Sequence, residues 1–263
     1  KRNNLKQSLH TLINSYKYKE AISLYERYKK TFTDELDNDV LPLLEHGKLR
    51  LELEYKAALE KVNRIGDLSL TSIFTDWKRI KLHEFLMLME VRLKQGQIED
   101  FILKITPFMY ELMRYYFSMV YHVNWDEFEK WTSVGPRTNM ESFKEKHPQL
   151  YFSWYAHTKT PQFNEIQLSL NHMLHMLEDQ PNVNSLLLKQ LKDIRNIERK
   201  IRNKIAHEVV VLTEVEICKS VSIKSLQSFL ELIQAVFSTI MKPSKQNKLI
   251  YDTINAYVLE QIQ

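Results

Sequence analysis

Two residues in the C-terminal half of the chain have side chains that suit phosphate chemistry. Arg202 and His207 stand five positions apart in the segment RNKIAH. A guanidinium is permanently charged and can hold a phosphate through two hydrogen bonds, while an imidazole exchanges a proton near neutral pH. RNA supplies its own nucleophile, the 2′-hydroxyl. We therefore expect this pair to suffice for phosphodiester cleavage without a metal ion, with Arg202 stabilising the developing charge and His207 acting as base or acid.

The spacing of these residues also predicts an oligomeric state. Asn203 lies four residues before His207 and shares its helical face, where it is expected to orient the imidazole or bind the phosphate. Five residues of regular helix correspond to a rotation of about 140°, so Arg202 and His207 of one helix point in different directions. A two-fold dimer would bring two copies of each residue together. We expect a homodimer with a composite site, unless side-chain reach or unwinding near His207 removes the need for it.

The helix that carries the motif is strongly basic. Between residues 189 and 204 it has seven basic residues against two acidic ones, whereas the whole chain has a net charge of only +4. Such a concentration is typical of a surface that binds a phosphate backbone. The predicted RNA-binding residues are Arg195, Arg199, Lys200 and Lys204. The alternative is that the charges serve solubility, that Arg202 pairs with Glu198 four residues earlier, and that His207 is a polar helix-end residue.

An apolar stripe fixes which face of this helix is buried. It consists of Leu187, Leu191, Ile194, Ile201 and Ile205. Ser185 is expected to cap the start of the helix. After the motif, the run 209–211 (VVV) favours a short extended segment, and the segment 213–216 (TEVE) is typical of a capping box that begins the next helix.

The composition predicts an all-α protein. The chain has only 4 Gly and 7 Pro in 263 residues, and long stretches are rich in helix-forming Leu, Lys and Glu. Because the glycines are isolated, no Gly-rich loop can cradle a nucleotide phosphate, which excludes P-loop and Rossmann enzymes. The single Cys218 fits a reducing compartment, so we expect a cytoplasmic protein. No segment is apolar enough to span a membrane, and we expect no membrane association.

Neither a metal nor a cofactor is expected. His172 and His175 are three residues apart and share a helical face, but no Cys or acidic pair accompanies them at the spacing of a zinc site.

Breaks in the helical pattern predict two domains. A helical connector is expected over 1–96, with Asp76 and Gly96 at the ends of one of its helices. The second domain is expected over 97–263, with a loop-rich insertion near 131–161, where the segments VGPRTN, KHPQ and TKTP interrupt the helices.

The segment RNKIAHEVVVLTEVEI resembles the signature of HEPN ribonuclease domains, in which Arg and a polar residue precede His by four to six positions. Arg202, Asn203 and His207 match it residue by residue. The preceding segment GQIEDFILKITPFMYELM is similar to the helical entry of the type III-A CRISPR-associated ribonucleases of the Csm class. The resemblance is best over about 97–240.

This resemblance implies a helical HEPN bundle that acts as a homodimeric, metal-independent endoribonuclease on single-stranded RNA and leaves 2′,3′-cyclic phosphates. It also implies antiviral defence, with cyclic oligoadenylate acting through a CARF sensor domain that we do not find in these 263 residues. Two alternatives stay open: a toxin-type HEPN ribonuclease of a toxin–antitoxin pair, and a non-catalytic helical interaction module.

Overall fold

A computed structural model describes residues 2–31, 39–66, 68–158, 164–207, 213–243 and 249–262. At the end of the motif helix, Ala206 and His207 are described through their backbone alone. Over the described residues the protein has thirteen α-helices and one small sheet, which confirms the predicted all-α class. The described helices include none long and apolar enough to cross a bilayer.

The chain divides into two compact units. Unit 1 contains residues 1–97 and 243–263, and unit 2 contains residues 98–242. The helices of unit 1 are α1 (Arg2–Asn14), α2 (Tyr18–Thr31), α3 (Val40–Leu51), α4 (Tyr55–Val62), α5 (Trp77–Lys94) and, from the end of the chain, α13 (Ile250–Gln261). Helix α5 begins and ends as the sequence predicts, because Asp76 accepts a hydrogen bond from the backbone N–H of Arg79 and Gly96 has a left-handed φ of +70°.

The position of α13 differs from the predicted division, which assigned all residues from 97 onward to the second domain. The apolar side chains of Tyr251, Ile254 and Val258 join the same buried core as α1, α2 and α3. The hydroxyl of Tyr18 donates a hydrogen bond of 2.7 Å to Oδ1 of Asn255. Burial of this apolar face, rather than sequence proximity, decides where the last helix packs.

Unit 2 is built around a central helix that carries the motif. The helices of unit 2 are α6 (Ile98–Val120), α7 (Met140–Lys146), α8 (Pro148–Thr158), α9 (Leu170–Glu178), α10 (Ser185–His207), α11 (Glu214–Val221) and α12 (Leu226–Met241). Helix α10 packs against α6, α9, α11 and α12. Pro107 lies inside α6, which continues through it.

The predicted insertion is more regular than a set of loops. Strands β1 (Glu129–Thr132) and β2 (Gly135–Asn139) form a hairpin, and β2 also pairs with β3 (Glu165–Ile166), all antiparallel. Gly135 has a φ of +110°, a conformation that suits glycine at this tight turn. Asn139 caps α7 by accepting hydrogen bonds from two backbone N–H groups.

Two predictions about the ends of the motif helices have different outcomes. The cap of α10 is Asn184 rather than Ser185, since Oδ1 of Asn184 accepts the N–H of Leu187 at 3.1 Å. Thr213 and Glu216 form the predicted capping box of α11. The predicted extended run 209–211 lies outside the described residues.

Candidate active site

The apolar stripe of α10 fixes the orientation of the motif. Leu187, Leu191, Ile194 and Ile201 are buried as predicted. One position in the same stripe, between Ile194 and Ile201, is held by Glu198. Its side chain is only 1% exposed, so a carboxylate occupies a place in the helix that is otherwise apolar.

Three side chains donate hydrogen bonds to this carboxylate and compensate its burial. On one side, Oε1 of Glu198 accepts hydrogen bonds from the hydroxyl of Thr106 in α6 and from Nη1 of Arg202, the latter at 3.2 Å. On the other side, Oε2 accepts a hydrogen bond from Nη1 of Arg195. Arg195 in turn donates from Nε to Oδ1 of Asn171 in α9 at 2.8 Å. A buried carboxylate is tolerated only with such partners. We call Thr106, Asn171, Arg195, Glu198 and Arg202 the Glu198 cluster.

Arg202 is the member of the cluster that reaches solvent. Its Nη1 also donates to Oγ1 of Thr106 at 3.0 Å, yet 47% of its side chain is exposed. Neither Nε nor Nη2 of Arg202 is hydrogen-bonded within the described part of the chain. These two groups form one edge of the planar guanidinium, and such an edge matches two oxygens of a phosphate.

The other two residues of the predicted catalytic set lie on the last turns of α10. Asn203 is exposed, and His207 is the final residue of the helix. Because the backbone is helical through His207, the Cα atoms of Arg202 and His207 lie about 140° apart around the helix axis. Unwinding before His207 therefore does not bring the two residues of one chain together.

The four predicted RNA-binding residues differ in exposure and in the partners of their side chains. Arg199 and Lys200 are exposed and make no ion pair with any described residue. Lys204 is half-buried, and its charge contributes to lowering the pKa of Glu216, after the hydrogen bonds from Thr213. Arg195 is 20% exposed, and its hydrogen bonds go to Glu198 and Asn171.

His172 and His175, the two histidines of α9, have different surroundings. His172 is engaged locally, because its Nδ1 accepts the N–H of Ser169 at the start of α9, and burial together with the charge of His175 lowers its pKa. His175 instead stacks on His157 of α8, and both rings contact the carboxylate of Glu178. His157, His175 and Glu178 have ligand atoms close enough to one another for a metal ion. Sequence spacing does not reveal this group, because His157 and His175 lie on different helices that come together only when the chain folds.

The Glu178 carboxylate in this group already has cationic partners. Burial raises its pKa, but the hydrogen bond and charge of Lys192, at 3.0 Å, outweigh that effect and leave the pKa below its ordinary value. The predicted metal-free site at Arg202 and His207 does not involve this group.

A helical bundle whose central basic helix ends in Arg202, Asn203 and His207 has the architecture of a HEPN domain. The sequence matches the family model described as the Cas_Csm6 HEPN domain over residues 73–259. The chain therefore belongs to the Csm6 HEPN family, which confirms the resemblance to the Csm class. Searching curated proteins gave no match.

The fold is similar to that of a solved protein described as Enterococcus italicus Csm6 bound to cyclic hexa-2′-fluoro-hexa-dAMP. The TM-score is 0.71 and the sequence identity 14%, over 98% of this chain and 57% of the other. This chain thus spans little more than half of that relative's length.

Proposed function

We propose that this chain is the ribonuclease part of a type III CRISPR antiviral effector and cleaves single-stranded RNA. The observation that carries the proposal is the Arg202 guanidinium, which is held on one side by buried Glu198 and open on the other, on a basic helix that ends at His207. Membership of the Csm6 HEPN family supports it.

In the proposed reaction the 2′-oxygen of RNA attacks the adjacent phosphorus and the 5′-oxygen leaves, giving a 2′,3′-cyclic phosphate and a 5′-hydroxyl. The 2′-hydroxyl loses its proton and the departing 5′-oxygen gains one, and His207 carries out a proton transfer in this reaction as base or acid. The open edge of Arg202 binds the non-bridging oxygens and stabilises the charge that develops on them. Asn203 orients the imidazole or the phosphate. No metal ion is needed in this scheme, because the permanent positive charge of Arg202 stabilises the phosphate oxygens that a metal ion would otherwise bind.

The RNA backbone is held by the exposed basic face of α10. Arg199, Lys200 and Lys204 provide direct phosphate contacts, and Arg195 adds to the local positive charge from its place in the Glu198 cluster. Such contacts weaken with salt, since binding releases counterions from the RNA.

The proposed site is shared between two chains. The divergence of Arg202 and His207 along one regular helix is the physical reason, and a two-fold axis near the end of α10 resolves it by pairing each residue with the partner's copy. We assign no residue of this chain to binding of cyclic oligoadenylate. Control by this activator is proposed only through a sensor region outside these 263 residues. The Enterococcus italicus relative was solved with a cyclic adenylate analogue.

Cleavage of a fluorescently labelled single-stranded RNA tests the activity. We expect Arg202→Ala and His207→Ala to lose at least about 100-fold in rate, which is the scale of losing a transition-state contact or a general acid–base. Arg137→Ala and His122→Asn change an exposed arginine and an exposed histidine elsewhere in unit 2 and serve as matched controls. Activity retained in either motif variant would contradict the assignment, and loss of wild-type activity in EDTA would contradict the metal-free mechanism.

Mixing the two inactive variants tests the shared site. A dimer of one Arg202→Ala chain and one His207→Ala chain keeps one arginine and one histidine, contributed by different chains. We expect partial recovery of cleavage if the site is composite. If each site lies within one chain, the mixture stays inactive.

A further inference from the structure

We propose that Glu198, together with Thr106, is a positioning residue for Arg202: the buried carboxylate and the hydroxyl fix Nη1 so that the Nε and Nη2 edge faces the RNA. This role rests on the function proposed above. Neither Glu198 nor Thr106 belongs to the Arg–Asn–His motif.

The first argument is the position of Glu198 in its helix. The buried stripe of α10 advances in steps of four and three residues, from Leu187 and Leu191 through Ile194 to Ile201, and Glu198 occupies the step at which an apolar side chain would pack. An apolar residue at a buried site is often as stable as a buried ion pair, or more so. A carboxylate at this place is therefore not explained by stability alone.

The second argument is how the two carboxylate oxygens are used. Oε2 faces Arg195, which leads to Asn171 and α9 and lies mostly within the protein. Oε1 faces Thr106 and Arg202 and leads to the surface. Both oxygens thus link α10 to a neighbouring helix, but only Oε1 also holds a side chain that is half in solvent.

The third argument concerns the number of restraints on Arg202. An exposed arginine normally samples many rotamers, and fixing one costs conformational entropy when a ligand binds. Nη1 of Arg202 is held by two acceptors at once, at 3.0 and 3.2 Å, from two different helices. Two restraints on one nitrogen set the plane of the guanidinium, so the free edge is oriented before any phosphate arrives.

Thr106 joins the two groups that it touches. Its hydroxyl donates to Glu198 and accepts from Arg202, so a single oxygen from α6 completes a closed set of three hydrogen bonds. Removing the hydroxyl breaks two of the three bonds without placing a new charge in the core. Thr106 is therefore the position at which orientation can be disturbed with the least effect on packing.

The experiment uses four variants of the whole chain and measures kcat and KM with the labelled RNA, together with thermal unfolding. In Thr106→Val and in Glu198→Gln we expect kcat to fall about 10-fold or more, the scale of a misplaced catalytic group, while KM stays within about threefold. Glu198→Gln also removes a negative charge near the RNA, so its KM should not rise. Thr106→Ser restores the hydroxyl and is expected to restore kcat.

The matched control is Asn171→Leu. It removes the acceptor of Arg195 on the other side of the same carboxylate and lies outside the proposed catalytic and RNA-binding sets. We expect its kcat to stay within about twofold of the wild type even where its unfolding temperature falls as far as that of Thr106→Val. Equal kcat losses in Asn171→Leu and Thr106→Val would mean that the cluster acts only through stability and would overturn the proposal.

A measurement without turnover separates this proposal from the proposed function. The Nε–Hε NMR signal of Arg202 is identified by its loss in Arg202→Ala, and its heteronuclear NOE reports nanosecond motion. We expect a rigid guanidinium in the wild type and a mobile one in Thr106→Val and Glu198→Gln. A wild type that shows this rigidity without cleaving RNA contradicts the proposed function alone. Equal mobility in all three proteins contradicts the positioning role, whatever the activity.

Discussion

Two buried arginine–glutamate arrangements among the described residues use the same chemistry differently. In unit 1, Arg50 of α3 and Glu84 of α5 have side chains only 0% and 2% exposed. Nε of Arg50 donates to Glu84 at 3.1 Å, and Nη1 donates to the backbone oxygen of Leu70 at 2.9 Å. In unit 2, Glu198 is equally buried, but one of its two arginines, Arg202, is nearly half exposed.

The two arrangements differ in how much of the arginine side chain is left accessible to a ligand. Arg50 has partners along both edges of its guanidinium, since Nη2 also donates to Glu84 and the plane lies over the ring of Tyr55. No part of it is available to a ligand. Among the described residues Arg202 has partners at Nη1 alone, so the same type of ion pair leaves an oriented donor edge at the surface. Three changes test this contrast.

The largest effect is expected from Arg50→Met. It leaves the Glu84 carboxylate buried without its main partner, which typically costs about 3–5 kcal/mol in the free energy of unfolding. Urea denaturation followed by circular dichroism measures the loss. The double variant Arg50→Met with Glu84→Leu removes both charges and is expected to recover most of it. A single variant that loses less than about 1 kcal/mol would show that the enclosed pair is not a stabilising feature.

A smaller loss of stability is expected when the pH is lowered, because His46 lies beside the buried Arg50. His46 donates from Nδ1 to the carbonyl oxygen of Ala58 at 2.7 Å and faces Arg50 with Nε2. Burial, and then the charge of Arg50, lowers its pKa to about 4. Between pH 6.5 and 4 the imidazole of His46 is protonated in the unfolded chain but stays neutral in the folded chain. Stability is therefore lost as the pH falls through this window, by up to ~3 kcal/mol.

The variant His46→Gln isolates this contribution. It keeps a hydrogen-bond donor for Ala58 but does not titrate, so its unfolding free energy should change less between pH 7 and 4 than that of the wild type. Burial raises the pKa of Glu84, which acts in the opposite direction, so the comparison is the difference between the two proteins at each pH. Parallel pH profiles would contradict the assignment to His46.

The smallest effect on stability is expected from Arg202→Met. Glu198 keeps Arg195 and Thr106 as partners, and a half-exposed ion pair contributes about 1 kcal/mol or less. Its urea midpoint should lie close to that of the wild type, while RNA cleavage is lost. Arg195→Met, which removes the less exposed partner of the same carboxylate, should lower the midpoint further. The reverse order would mean that Arg202, like Arg50, serves mainly to hold the fold.

Much of the site can be predicted from local sequence. The 3.6-residue pattern locates α10 and its buried face, and the capping box of α11 is readable from Thr213 and Glu216. Glu198 is partly readable as well, since it is the one charged residue in an apolar stripe. Thr106 is not, because it stands 92 residues away from Glu198 and nothing local indicates that the two meet.

Two parts of the fold are harder to predict from the sequence, for different reasons. Strand β1 is largely exposed, so its segment lacks the alternation of apolar and polar residues that identifies a half-buried strand. Helix α13 is recognisable as amphipathic, but an amphipathic pattern shows that a face is buried without showing which unit buries it. Only the placement of α13 depends on contacts between segments that are distant in sequence, because β1 pairs with β2, the next strand along the chain.

The return of α13 to unit 1 has a consequence for synthesis on the ribosome. The bond between Tyr18 and Asn255 spans 237 residues, so α1 and α2 leave the ribosome well before α13 can complete their shared core. At about 5–20 residues per second, translation of the intervening unit 2 takes roughly 7 to 30 s. Unit 2 has local contacts of its own and can fold during that interval, so unit 1 begins to be translated before unit 2 but finishes folding after it.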